Sequence, residues 1–173
     1  FEKFNQTIRG LVAKKVADFK KDMTPSAEEE PTPETSSSSE EALGSDITIG
    51  YEVVLAKDDL ISIDFTVSSY SAGAAHPNSY TEVVNFDLKN AKQLRLADVF
   101  LPGSKFLGTL SNYCIQDLKK QSKAQGADGM LDDDWIQKGA GPDLANYNNW
   151  SITKTGLAIT FDPYQVGPYA AGP

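Results

Sequence analysis

The sequence has one cysteine and one histidine in 173 residues. A lone thiol, Cys114, makes no internal disulfide and fits a reducing compartment or a disulfide-free envelope protein equally well. A lone imidazole, His76, excludes a zinc site built from several histidines, and any Ser-His-Asp or Cys-His set would have to include it. No run approaches the ~18 consecutive apolar residues of a membrane-spanning helix. The phosphate-cradling patterns GxxxxGKS/T and GxGxxG are missing. Asp132-Asp133-Asp134 is consecutive rather than alternating and so does not fit a calcium loop; it is expected to start a helix, answering its amides and dipole. No cofactor and no metal is therefore expected. Basic clusters are also lacking, which argues against nucleic acid. The chain opens at Phe1 without a charged n-region or an apolar h-region, so a signal or anchor is expected to have been trimmed away.

Charge is present but unevenly spread. The net charge is −8, and six glutamates between Ser26 and Ser45, with no Lys or Arg among them, carry −6 of it. The remainder is left near neutral, at −2. The same stretch is rich in Pro, Ser, Thr and Glu and poor in apolar groups, so it cannot offset its ordering entropy by burial. Residues 25–46 are expected to be a disordered acidic linker. Before it, Phe4, Ile8, Leu11, Val12, Val16 and Phe19 recur at helical spacing, with Lys and Arg between them. Residues 1–24 thus predict an amphipathic helix.

Beyond the linker the period becomes two. Ile47, Ile49, Tyr51, Val53 and Leu55 alternate with smaller or polar residues, as do Ile61, Ile63, Phe65 and Val67 with Ser62, Asp64, Thr66 and Ser68. The pattern predicts an antiparallel hairpin with one apolar and one wet face. Further strands are expected at Tyr80 to Leu88, Trp150 to Thr153 and Leu157 to Phe161. Tyr51, Phe65, Phe86 and Ile159 should then be neighbours in one pleated layer. A helix with the stripe Phe106, Leu107, Leu110, Tyr113, Cys114 and Leu118 lies between, followed by a short helix at Leu131 to Lys138. The fold class is α+β, a two-layer arrangement with helices packed on one face of an antiparallel sheet.

Few residues offer chemistry. His76 sits among small residues beside Pro77 and is expected to fix a turn by bonding backbone groups; ligand binding and catalysis are the sharper alternatives. Cys114 falls on an apolar helix stripe, where it acts as a small hydrophobe. Asp64 or Asp162 with His76 would be needed for hydrolytic chemistry. Tyr147, Trp150, Tyr164 and Tyr169 crowd the last third, where they either build a contact surface or cover a small core.

Two stretches carry a family resemblance. Tyr70 to Phe100 runs strand, Gly-x-x-His-Pro-Asn, a strand ending Asn-Phe-Asp-Leu, then Leu-x-Asp-Val-Phe. Phe161 to Gly172 reads Phe-x-x-Tyr-x-Val-x-Pro-Tyr-Ala-x-Gly. Together they resemble the bacterial extracytoplasmic domain family found at the C-terminus of the RsiV anti-sigma factor, which also occurs beside the deacetylase domain of PdaC. The resemblance covers about 47–173, with the first helix similar to the end of a small companion domain. Asn90-Ala91 stands where the family has a turn glycine, and Asn tolerates a left-handed turn.

The resemblance implies an extracytoplasmic domain, secreted, lipid-anchored or membrane-tethered. Its implied role is non-enzymatic binding or sensing, with lysozyme or a peptidoglycan-related glycan as partner. His76, Asn78, Tyr164 and Tyr169 are the ligand-binding residues carried by the motifs. The alternative is a cell-wall glycan hydrolase or deacetylase accessory using His76 with a carboxylate.

Overall fold

The computed structural model describes residues 1–23, 44–124 and 132–168. Residues 25–43 of the expected acidic linker and Tyr169 fall outside them, while Asp46, expected as the linker's last residue, is the first residue of a strand. The elements run α1 (Glu2–Asp22), β1 (Asp46–Lys57), β2 (Leu60–Tyr70), β3 (Asn78–Asp87), β4 (Lys92–Gln93), α2 (Phe106–Ala124), α3 (Asp133–Gly139), β5 (Trp150–Ile152) and β6 (Leu157–Ile159), with 3₁₀ turns at Leu96–Val99 and Leu144–Tyr147. The chain is α+β. β1 to β4 form an antiparallel sheet in sequential order, and among the described residues β5 pairs only with β6.

The period-two segments pair as their alternation requires. Tyr51 lies opposite Phe65 and Val53 opposite Ile63, and Ile63 in turn lies opposite Val84. Ile63, Phe65, Val84 and Phe86 are buried beneath Phe4, Ile8 and Leu11 of α1. Helical spacing thus supplies a stripe that matches the apolar face of the strands. Lys15 of α1 pairs with Glu82 and lies over the Tyr80 ring, which secures the far end of the contact.

Two sheet expectations are corrected. The pairing of β1 slips between Val53 and Leu55, so Leu55 faces Ser62 and is buried on the opposite side from Val53. A bulge adds one residue and inverts the alternation beyond it. Ile159 is not in the same layer as Tyr51, Phe65 and Phe86: it belongs to the separate β5–β6 hairpin.

That hairpin also corrects part of the expectation of a wet face: Thr48, Glu52 and Thr66 are exposed, but the face is covered around Ser62. Ser62 and Asn85 are fully buried, and Ser151 of β5 is buried with them. Ser62 Oγ donates to Asn85 Oδ1 at 2.7 Å, and Asn85 Nδ2 donates to the Trp150 carbonyl at 2.6 Å. The Ile152 amide donates to both Ser62 Oγ and Asn85 Oδ1, each at 3.1 Å. Polar side chains on alternate strand positions read as solvent-facing, yet here they act as the receiving surface for the backbone of another strand. Every partner is satisfied, so burial is tolerated.

A second core lies beyond β5, where Leu96, Cys114, Ile115, Ile136, Ala140, Tyr147 and Trp150 are buried together. The Ala140 carbonyl accepts from Tyr147 Oη at 2.6 Å and from Ser111 Oγ at 2.7 Å, tying α2 and α3 to the Tyr147 turn. Asp132 caps α3 by accepting from the amides of Asp134 and Trp135, as expected of the acidic run. The turn after β3 keeps its left-handed residue, but it is Ala91 (φ +49°) rather than Asn90. Asn90 instead donates to Asp87.

Candidate functional site

The site is set by the segment after β6. Asp162 accepts from the Thr81 amide at 2.8 Å and from Asn149 Nδ2 at 2.9 Å, joining the C-terminal segment to β3. Gln165 Nε2 donates to the Gly139 carbonyl at 3.0 Å and to the Asn146 carbonyl at 2.9 Å. The Trp135 indole donates to the Tyr164 carbonyl at 2.9 Å. Held at both ends, the segment passes Tyr164 through the left-handed region at φ +67°. For a residue with a bulky ring this costs about 1–3 kcal/mol and persists only where the surroundings impose it.

Two cavities open on either side of Tyr164. The first, about 470 Å³, lies between α2, β6 and the C-terminal segment. Leu110, Leu118, Ile159 and Val166 form apolar wall, while Tyr113, Asp117, Gln121 and Asp162 bring polar groups to it. The second, about 610 Å³, lies between α3 and the Tyr147 turn and is lined by Trp135, Lys138, Asp143, Asn146 and Gln165. Tyr113 is 69% exposed and Tyr164 54% exposed. Large exposed rings beside a concave apolar wall suit a ligand with one flat apolar face and polar edges.

The sequence-derived candidates are scattered. Tyr164 lines both cavities. His76 and Asn78 are exposed in the β2–β3 connection and at the first residue of β3, and line neither cavity. His76 Nδ1 lies 2.9 Å from the carbonyl of its neighbour Pro77. Asp64 accepts from Ser151 and Asp162 from Thr81 and Asn149, so both carboxylates named for hydrolysis serve to join β5 or the C-terminal segment to the sheet. Among the described residues, no three His, Cys, Asp or Glu side chains gather to hold a metal ion.

Sequence reasoning missed Tyr113, Asp117 and Gln121. Tyr113 counted as part of the apolar stripe of α2, yet it leaves that stripe and stands exposed. The available signal was the spacing of four from 113 to 117 to 121, which stacks the three on one helix face; Gln121 Nε2 donates to Asp117 at 2.7 Å. Cys114 lines the cavity too, but burial and the nearby Asp117 raise its pKa, so it stays a thiol and a poor nucleophile.

Asp64 offers a pH handle. Burial raises its carboxyl pKa and the Glu52 carboxylate opposite it adds to this, while the Ser151 hydroxyl pulls the other way. A carboxyl whose folded pKa lies above its unfolded value makes the fold lose stability as pH rises between the two. Asp64→Asn keeps an acceptor for Ser151 and removes the titration. The variant is expected to gain roughly half a kcal/mol over the parent at neutral pH, the group being open enough to solvent for screening to limit the effect. The gain should vanish near pH 3. Urea melts of both proteins at the two pH values check this.

Comparison with known proteins adds to this geometry. Residues 97–173 match the family described as "Protein of unknown function (DUF3298)". A curated relative, "Peptidoglycan-N-acetylmuramic acid deacetylase PdaC" of Bacillus subtilis, is 24% identical over 165 residues, or 95% of this chain; the chain spans only 32% of that protein's length. A solved member of the DUF3298 family from Bacteroides fragilis superposes with a TM-score of 0.58 at 25% identity, over 78% of this chain and 51% of that one. A DUF3298 family protein from Pseudomonas aeruginosa gives 0.54 at 21% identity, over 73% and 54%. The resemblance read from the motifs is borne out to this extent: residues 97–173 match the DUF3298 family of unknown function.

Proposed function

We propose that the chain is a non-catalytic, extracytoplasmic ligand-binding domain whose ligand is a cell-wall glycan lying along the cavity between α2 and β6. The observation that carries this is the pair of exposed rings, Tyr113 and Tyr164, flanking an apolar-walled cavity of about 470 Å³. Pyranose rings present apolar C–H faces to aromatic rings, while hydroxyls at their edges pair with carboxylates and amides such as Asp117 and Gln121. The location is supported by the relative, whose name gives peptidoglycan as what that protein acts on. Among the described residues no helix is long and apolar enough to cross a membrane.

Calorimetry with muramidase-solubilised peptidoglycan fragments tests the idea. Tyr113→Ala is expected to weaken binding about tenfold, the worth of one aromatic contact. Failure of the parent protein to bind any fragment, or indifference to loss of the ring, would overturn it.

A protein ligand is the second reading, with lysozyme the partner that the resemblance implies. It is favoured by the edge strand β1, where Tyr51 is 72% and Val53 49% exposed. Tyr51→Ala would then weaken lysozyme binding and leave glycan binding unchanged.

A further inference from the structure

Building on the glycan reading, we propose that the cavity between α2 and β6 selects an amino sugar: a de-N-acetylated glycan segment whose ammonium lies against the Asp117 carboxylate. Among the described residues, the charged side chains that line the cavity are Asp117 and Asp162, and no Lys, Arg or His joins them. Neither carboxylate takes part in an ion pair among the described residues. Elsewhere in the fold carboxylates do find cations: Glu82 has Lys15, Asp98 has Lys92 and Arg95, and Asp133 has Lys119.

Asp162 is fixed by neutral donors, the Thr81 amide and the Asn149 side chain, which hold its position without cancelling its charge. Asp117 takes one neutral donor, Gln121, on Oδ2, and its Oδ1 accepts no hydrogen bond among the described residues. The wall is therefore a concave, partly apolar surface with uncompensated negative charge, which favours a cation and disfavours an anion.

Among glycan units the amino sugar meets this demand. Its ring offers the apolar face that Tyr113 and Tyr164 require, and its ammonium offers donors to a carboxylate. The acetylated form presents a neutral amide in the same place and forfeits the charge–charge attraction. Such a ligand is supplied by hydrolysis of a sugar acetamide, in which water adds across the amide C–N bond to release acetate and the free amine. A domain with this preference would concentrate on wall glycan that has already been deacetylated.

The test is calorimetry of the full chain with a glucosamine tetramer and an N-acetylglucosamine tetramer at pH 6. The free amine form is expected to bind at least about tenfold more tightly at low ionic strength. Asp117→Asn should collapse that ratio to near one, while Asp58→Asn, at the distant β1–β2 turn, should leave it intact. Raising salt from about 0.02 to about 0.5 M should shrink the ratio in the parent protein, a readout that does not depend on the variants folding. Equal or tighter binding of the acetylated tetramer overturns the proposal and leaves the glycan reading standing. An equal effect of the Asp58 and Asp117 changes, or a ratio insensitive to salt, also overturns it. Binding of neither tetramer overturns both.

Discussion

Gly139→Ala is expected to destabilise the protein by about 3 kcal/mol and to abolish glycan binding. Gly139 closes α3 with its backbone pressed against the C-terminal segment. A Cβ added there would sit 1.9 Å from the Gln165 carbonyl oxygen, 2.7 Å from its carbon and 3.0 Å from a Val166 methyl. The obstacle is main chain, which cannot swing aside as a side-chain tip would. To relieve the overlap the segment must move off α3, which breaks the bonds from Gln165 to Gly139 and Asn146 and the bond from Trp135 to Tyr164. Overpacking of this kind costs about 1–3 kcal/mol, and stranded buried donors and acceptors add about 1–3 more.

The consequence for the site is larger than for the fold. Tyr164 keeps its left-handed backbone only while its neighbours are held on both sides, so release of Gln165 lets it relax and removes the ring between the two cavities. A useful contrast is Gly10→Ala, in the middle of α1, where a Cβ meets nothing within 4 Å. That change should raise stability by about 0.5–1 kcal/mol through helix propensity alone. Guanidinium unfolding of both variants, with calorimetry on the peptidoglycan fragments, reads out the opposite signs. Near-parental stability of Gly139→Ala would show that the segment is not seated on α3 as described.

Much of the fold was legible from spacing. The α1 stripe, the paired alternation of β2 and β3, the helix-start role of Asp132 and the β5–β6 hairpin all follow from local patterns, because each element's period survives in the final packing. What could not be read is the partnership between elements far apart in sequence. Asn85 meets the backbone of β5 across 65 residues, and nothing near either marks the meeting. Alternation identifies two faces of a strand but not whether the polar one meets water or another chain segment.

The same limit hid the site. Its walls come from α2, β6 and the turn around Tyr164, brought together only by the tertiary fold. The motif residues that carried the resemblance fared differently according to what the motif encodes. His76 bonds a backbone carbonyl in its turn. Tyr164, in contrast, lines both cavities, and Asp162 and Gln165, which occupy unspecified positions of that motif, anchor the segment on either side of it to β3, α3 and the Tyr147 turn. A sequence motif that specifies a tight path for the backbone can thus define a binding surface whose other half lies on a helix with no motif at all.

Asn85→Leu is expected to cost about 3–4 kcal/mol, although the side chains are similar in size and the site is buried. Asn85 is 2% exposed and sits where the two sheets meet. Its amide answers three groups at once: Ser62 Oγ, the Trp150 carbonyl and the Ile152 amide. Leucine answers none of them. The Ile152 amide keeps Ser62 as acceptor, but the Trp150 carbonyl and the Ser62 hydroxyl lose their partner away from water, at about 1–3 kcal/mol each.

Two companion variants separate this cause from simple misfit. Ser62→Ala leaves Asn85 bonded to both Trp150 and Ile152, so it should cost only about 1 kcal/mol. Asn85→Asp preserves the shape but exchanges the donor for an acceptor that faces the Trp150 carbonyl. In its ionised form the new carboxylate is buried against a carbonyl oxygen, whereas its protonated form restores a donor. Its folded pKa must then lie above the unfolded value, so the deficit should be small near pH 4 and grow as pH rises through that folded pKa. Urea titrations of the three variants at pH 4 and pH 8 decide the matter: a leucine variant as stable as the parent, or an aspartate variant whose deficit ignores pH, would mean that the two sheets are held together by apolar contact alone.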